Sequence, residues 1–226
     1  MNSIYDSDCR RCTRLAAFLD SVRQQQPGYF CKPVPPFGDG KAPLLIVGLA
    51  PGMHGANRSG RPFTGDFAGI LLYETLYKFG LASSPRSVSV DDGLALLRAR
   101  ITNSVKCLPP QNKPLPVEIK ECNRYLEAEL AQSPEVRVIL ALGAIAHTAV
   151  LRAHGLRVGE YRFAHGAEHA LPGGRVLVDS YHCSRYNTQT RRLTASMFET
   201  VVERAVALLD APLEAAADKP KAANNR

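Results

Sequence analysis

The stretch from Leu44 to Gly69, LLIVGLAPGMHGANRSGRPFTGDFAG, decides how the rest of the chain is read. It opens on LLIVGL, an apolar run short enough for one buried strand and bounded by punctuation on both sides. Pro51, Gly52, Gly55 and Gly60 then mark a long loop rather than a quick turn into a helix. The loop carries His54, Asn57, Arg58, Arg61, Phe63, Thr64 and Asp66 before an apolar helical pattern resumes at Phe67. Open α/β sheets hold their ligands beyond the carboxyl ends of strands. A connection this long and this loaded with polar chemistry is more often functional than passive.

Upstream of that stretch, Cys9 and Cys12 form C-R-R-C just ahead of LAAFLDSVRQQQ, which reads as a short helix, and residues 27–41 are an irregular Pro- and Gly-rich connection. Downstream, Phe67–Phe79 is expected to be a helix packed on the sheet, Ser83–Asp92 a polar linker, and DDGLALLRAR a further short helical turn. Ile101–Cys107 reads as the second strand, stopped by Pro109 and Pro110, and Val117–Leu130 as a helix carrying Cys122. The near-continuous apolar run VRVILALG suits a strand buried on both faces, and Ala144–His154 follows it as a helix. Tyr161–Leu171 is expected to form a small hairpin, Val176–Tyr181 the fourth strand, and Met197–Leu209 an amphipathic terminal helix. The order βαβαβαβα predicts a three-layer α/β/α sandwich around a central, mainly parallel sheet of about four strands. Residues 1–209 are expected to be one domain, and 210–226, rich in Ala, Lys, Asp and Asn, a flexible tail.

Composition sets the outer bounds. At 226 residues, 45% hydrophobic and 22% charged, the chain can bury a sizeable core and is not disordered as a whole. A formal net charge of +7 leans mildly toward a polyanionic partner. No apolar run approaches the roughly 18–20 residues that span a bilayer, and MNSIYDSDCRRC lacks the pattern of a signal peptide. The expectation is a cytoplasmic protein, with six cysteines used as free thiols or ligands before disulfides.

Cys9-x-x-Cys12 supplies two thiolates from one tight loop, a spacing common to zinc and iron–sulfur sites. Cys107, at the end of the second strand, and Cys122, in the next helix, can join them in space. A zinc ribbon would bring a second close pair, and the wide spacing here sits more easily with a [4Fe–4S] cube. Four ordinary buried cysteines are the competing reading. Cys31 and Cys183 fit that plainer role.

Three blocks taken together, GLAPGMHGANRSGRPFTGD at 48–66, ITNSVKCLPPQNKP at 101–114 and HCSRYNTQTRRLT at 182–194, resemble the uracil-DNA glycosylase superfamily, most closely its type-5 branch. The cysteine quartet falls in that branch's order. The resemblance implies a monofunctional glycosylase of base excision repair that removes uracil and other damaged bases from DNA; nothing in the sequence demands more than a monomer. It also implies a [4Fe–4S] cluster on Cys9, Cys12, Cys107 and Cys122, zinc being the alternative. A base cannot be reached inside the stack and must be flipped into a pocket. The resemblance makes Phe63 the stacking platform, with Gly52 and His54 beside the base and the Asn103 amide pairing with a pyrimidine edge. His182 would stabilise charge on the departing base. Arg58, Arg61, Lys113, Arg185, Arg191 and Arg192 would grip phosphates, and Arg185 or Tyr186 would fill the gap left by the extruded base.

The chain departs from the superfamily in ways that bear on chemistry. The first motif reads Leu49-Ala50 where other branches place a polar residue, often Asp or Asn, so the catalytic burden shifts to Asp66 and His182. Asp66 also suits a helix N-cap. Cys183 stands where the superfamily commonly has Pro, and Arg191 where Gly is frequent. A non-catalytic damaged-DNA or RNA binder using the same pocket is the alternative. A phosphate-loop enzyme is disfavoured by the absence of its glycine motifs.

Overall fold

In a computed structural model of the protein, residues 4–211 are described. Seven helices and six strands alternate along them. The strands are β1 (Phe37–Gly38), β2 (Leu44–Gly48), β3 (Ala99–Asn103), β4 (Val138–Leu142), β5 (Glu168–Leu171) and β6 (Arg175–Ser180). The helices are α1 (Thr13–Gln25), α2 (Ala56–Ser59), α3 (Phe67–Lys78), α4 (Pro116–Gln132), α5 (Ala144–Ala153), α6 (Arg185–Gln189) and α7 (Ala195–Asp210). The terminal helix runs through Asp210, and from residue 212 the expected tail lies outside the described residues.

The sheet has the order β1-β3-β2-β4-β6-β5. Its four central strands are parallel, while the two edges, β1 on β3 and β5 on β6, are antiparallel. All five residues of β2 and of β4 are buried, because helices cover both faces. The strand period of two sorts them. Leu44 and Ile46 of β2 pack with Leu72 and Leu76 of α3 and with Phe198 and Val202 of α7. Leu45 and Val47 face the other way, against Leu126 of α4 and Ala146 and Val150 of α5. Truncating a fully buried side chain such as Ile46 to alanine in such a core costs about 2–5 kcal/mol.

The architecture is the expected one, with six strands in place of about four. The two extra strands are short edges that no periodicity can announce. The segment expected as a hairpin over 161–171 instead sends only β5 into the sheet. β5 pairs with β6 across a turn at Pro172–Gly174, where Gly173 and Gly174 supply the positive φ the turn needs. DDGLALLRAR is not helical. Leu94 and Leu96 are buried at alternate positions while Leu97 is 58% exposed, and Leu96 bridges Ala82 in an extended pairing. The Asp92 carboxylate there accepts from the N–H groups of Val88 and Leu94, which turns the chain without a helix.

After β2 the chain crosses to β3 on one side, and β4 and β6 are laid down on the other. This reversal opens a crevice at the carboxyl ends of the parallel strands, where the loops after β2, β3, β4 and β6 converge.

Candidate active site

The crevice is an open cleft of about 880 Å³. Its lining includes Ala50 and Gly52 after β2, Asn103 at the end of β3, Gly143 after β4 and His182 after β6. Gly48 makes room for its inner wall. A Cβ at Gly48 would lie 2.4 Å from Asn103 Oδ1 and 2.7 Å from Phe63 Cζ, so only glycine leaves both side chains in place.

Phe63 is 6% exposed and holds a left-handed backbone, φ 54°, a conformation that costs an L-residue energy and persists only where the surroundings enforce it. The enforcement comes from α3. A Cβ on Gly69 would sit 1.8 Å from the Phe63 carbonyl oxygen, so the first turn of that helix rests directly on the Phe63 backbone. The Phe63 ring lies 5.9 Å from the His182 ring, tilted by 31°.

Asn103 is 3% exposed, and its Oδ1 is buried without a hydrogen-bond partner. An orphaned buried acceptor costs about 1–3 kcal/mol, so one on a residue that lines a cleft calls for an explanation. His182 sits against the wall, where burial pushes its pKa down to about 4. Its imidazole is therefore neutral at ordinary pH and can still donate one N–H. Asn187 Nδ2 donates to the His182 carbonyl at 2.8 Å, and the Ser184 hydroxyl caps α6. Together they fix the loop that carries the ring.

Asp66 does both things its sequence context allows. Its Oδ1 accepts from Gly69 N–H at 2.8 Å and caps α3, while the carboxylate also borders the cleft. A Cβ at Gly55 would lie 2.5 Å from its Oδ2, so the chain passes close beside that oxygen. Burial raises its pKa above the ordinary aspartate value against the pull of the Gly69 and Ala68 amides.

Gly52 lines the cleft wall, and His54 stands exposed at its rim with Nδ1 2.8 Å from the Tyr29 hydroxyl. Arg58, Lys113, Arg185, Arg191 and Arg192 are exposed. The Arg185 guanidinium lies 5.8 Å from the Phe67 ring centre, and that of Arg192 4.7 Å from the Tyr181 ring centre. Tyr186 is 71% exposed. Arg191 has φ 56°, the left-handed backbone that a glycine would take without strain.

Arg61 corrects the sequence expectation. It is 4% exposed and faces inward, bonded to Thr64 Oγ1 at 2.9 Å, Ser87 Oγ at 2.7 Å and Asp92 Oδ2 at 2.6 Å. Burial would raise the Asp92 pKa, but Arg61 and the backbone N–H groups of Val88, Leu94 and Ser89 outweigh it and hold the carboxyl well below the usual range. Arg61 is a staple between the loaded loop and the 83–92 linker, its Nε and Nη2 bonded inside the fold. It is not placed to grip phosphate.

Two contributions escaped the sequence reading. Asn112 lines the cleft with φ 56°, next to Gln111 at φ 55°. The residue types after Pro109-Pro110 gave no signal of this placement. The loop after β4 adds Leu142–Ile145, announced only by Gly143, whose φ is 99°.

Cys9, Cys12, Cys107 and Cys122 come from three separate segments and line one small cavity. Four thiols converging on one cavity are a donor set common to zinc and iron–sulfur sites. Lys106 N–H donates to Cys122 Sγ at 3.3 Å. Burial first, and then the neighbouring thiols, pushes Cys12 up to about 11 and raises Cys107. Ala50 and Met53 pack on this region from one side and line the cleft on the other. Cys31 is fully buried in the same cluster as the quartet without lining its cavity, and Cys183 is fully buried on the other side of the sheet.

Residues 35–206 match the family model for the uracil DNA glycosylase superfamily. The chain is 50% identical over 202 residues to the type-5 uracil-DNA glycosylase of Thermus thermophilus, covering 87% of this chain and 92% of that one. It is 40% identical over 204 residues to the type-5 enzyme of Pyrobaculum aerophilum, covering 88% of each. Against the type-5 enzyme of Mycobacterium bovis the identity is 42% over 208 residues, covering 88% of this chain and 77% of that one.

Proposed function

Because the chain belongs to the uracil DNA glycosylase superfamily, we propose that it is a DNA glycosylase of base excision repair, hydrolysing the N-glycosidic bond of uracil and of other deaminated or damaged bases in DNA. The observation that carries this reading is the unpartnered Oδ1 of Asn103, set in the same cleft as the Phe63 ring and the neutral His182. A flat base flipped from the duplex stacks on Phe63, and its ring N–H finds in Asn103 the acceptor that the protein leaves open.

Bond cleavage sends the electron pair of the C1′–N bond onto the base, whose carbonyl oxygen gains negative charge while the sugar becomes oxocarbenium-like. His182 donates its N–H to that oxygen. As a neutral donor in a desolvated wall it stabilises the developing anion without reorganisation. Water then adds to C1′, and the proton it loses passes through solvent to the departing base anion, giving the sugar hydroxyl and the free base. Asp66 is the carboxylate of the same cleft that can orient this water or offset the sugar's positive charge, while its other oxygen caps α3. Arg58, Lys113 and Arg185 hold flanking phosphates, and the exposed Tyr186 fills the place of the extruded base. The protein acts as a monomer.

Cys9, Cys12, Cys107 and Cys122 would hold a [4Fe–4S] cluster. The donor set and its spacing support that group over zinc. When bound it supplies cross-linking rather than redox chemistry, tying the segment before α1 and the loop after β3 to α4, behind the wall formed by Ala50 and Met53.

The test is an oligonucleotide carrying a single uracil, treated with alkali after incubation. Strand cleavage is expected with the wild-type chain and is strongly reduced in His182→Ala. Binding without any cleavage, in protein purified anaerobically with its visible absorbance intact, would replace the glycosylase by a damage-binding protein. Hypoxanthine, hydroxymethyluracil and ethenocytosine in the same assay define the range of bases.

A further inference from the structure

Away from the cleft, α5, β5 and β6 bring together His147, His169 and Asp179, all with donor atoms within 4.8 Å of one another. Asp179 is fully buried. Its Oδ1 lies 2.9 Å from His147 Nδ1 and its Oδ2 3.2 Å from His169 Nε2. Neither arginine nor lysine is recorded within ion-pair distance of that carboxylate among the described residues.

His147 carries the decisive detail. Its Nε2 lies 3.0 Å from the Tyr161 carbonyl oxygen. A carbonyl only accepts, so the proton of a neutral His147 must reside on Nε2. The lone pair of Nδ1 then points at the Asp179 carboxylate from 2.9 Å. Two electron pairs facing each other in a dry interior require a cation between them, either a second proton on the ring or a metal ion. The bond from the remote nitrogen to a backbone carbonyl is also the outer contact that fixes ring and tautomer in metal-ligating histidines.

We propose that His147 Nδ1, His169 Nε2 and the Asp179 carboxylate form a binding site for one divalent transition-metal ion, zinc above all. Two imidazole nitrogens and one carboxylate oxygen suit zinc at about 2.0–2.2 Å per ligand, and are too few and too nitrogen-rich for calcium or magnesium. Phe163 packs edge-on against His147 and Tyr161 edge-on against His169, so most of the surround is dry. The His169 side chain keeps 13% of its surface open, which gives the ion an entry path and leaves room for a water as fourth ligand. Zinc takes the place of the proton that otherwise bridges His147 and Asp179, so binding releases that proton. The ion pins the antiparallel edge hairpin to α5, and through the Tyr161 carbonyl it also steadies the loop before β5. The site is separate from the cysteine quartet and independent of the glycosylase reading.

The experiment is zinc titration of the full chain with its cysteine-held group intact, in competition with a chromophoric chelator at pH 7.5. The wild type is expected to bind one zinc equivalent that His169→Gln does not bind. Zinc should raise the melting temperature of the wild type by several degrees and leave that of the variant unmoved. A circular-dichroism spectrum and cooperative zinc-free melting like those of the wild type check that His169→Gln is folded. Equal zinc content in both proteins, or no zinc in either, overturns the proposal and leaves the bridging proton. Should the variant fail to fold, cobalt(II) difference spectra of the wild type decide. Weak nitrogen/oxygen-type d–d bands support the site, and thiolate charge-transfer bands alone overturn it.

Discussion

Two histidine environments at one end of the sheet differ in a single respect that decides their chemistry. His182 and the His147–His169 pair are both joined to β6, the first by following it and the second by touching Asp179 within it. His182 has no carboxylate bonded to its ring among the described residues, although Asp66 lines the same cleft, and burial drives its pKa down to about 4. His147 is also penalised by burial, yet the Asp179 carboxylate and the Tyr161 carbonyl reverse the sign and raise it. Burial does not by itself set the charge of an imidazole. The partner does. The cleft histidine is left free to bond a ligand, whereas its neighbours spend their nitrogens on the fold or on an ion.

The comparison can be broken most directly by exchanging losses. His182→Ala is expected to lower single-turnover cleavage by about 10²–10³-fold, the usual effect of removing one preorganised donor to a developing anion, with little change in urea stability. His147→Ala should do the opposite, leaving the buried Asp179 with only the longer His169 contact at a cost of up to about 3–5 kcal/mol in urea unfolding, while turnover stays close to that of the wild type. Equal loss of turnover in both would erase the distinction.

Asp66 sharpens the same contrast through pH. Its raised pKa means that lowering the pH removes its charge earlier than for an ordinary aspartate, so turnover should fall on the acid side. Asp66→Asn should flatten that limb and lower the neutral rate by at least about tenfold. His182, already neutral, should add no inflection near pH 6.5. Asp66→Ala should lose in addition about 1 kcal/mol of stability from the α3 cap, which urea unfolding would separate from the rate effect.

The smallest effect expected concerns two arginines of one loop. Arg58→Ala should weaken DNA binding and reduce the salt slope by about 1, the signature of one lost phosphate contact. Arg61→Ala should leave that slope unchanged and appear instead as a lower melting temperature, because it strands Asp92. A change in slope for Arg61 would restore the role that its sequence neighbourhood suggests.

Much of the fold was legible. β2 and β4 announce themselves because strands buried on both faces must be apolar throughout, and α3, α5 and α7 show helical spacing because one face of each meets the sheet. The edges β1 and β5 left no such trace, being short and half exposed. Leu94 and Leu96 lie in a leucine-rich segment that fits either period, and only the pairing with Ala82 settles which. In the site, Phe63, Asn103, Asp66 and His182 were all found through motifs and meet in one cleft. Asn112 was missed, since its place depends on two left-handed residues rather than on its type.

The sequence by itself determined the alternation of strands and helices, the loaded loop after the first central strand, the four cysteines and the family. These are local patterns and spacings, and the chain carries them without reference to distant residues. Tertiary structure alone decided what each polar group is for. Arg61 and Arg58 are chemically the same, and Asp92, 31 residues away from Arg61, turned one into a staple and left the other at the surface. Asn103 keeps an Oδ1 that no partner reaches, and His147, His169 and Asp179 have donor atoms within 4.8 Å of one another because three elements met. A polar side chain's role is set by whether its hydrogen bonds and charge are satisfied, and the partners that satisfy them lie far along the chain.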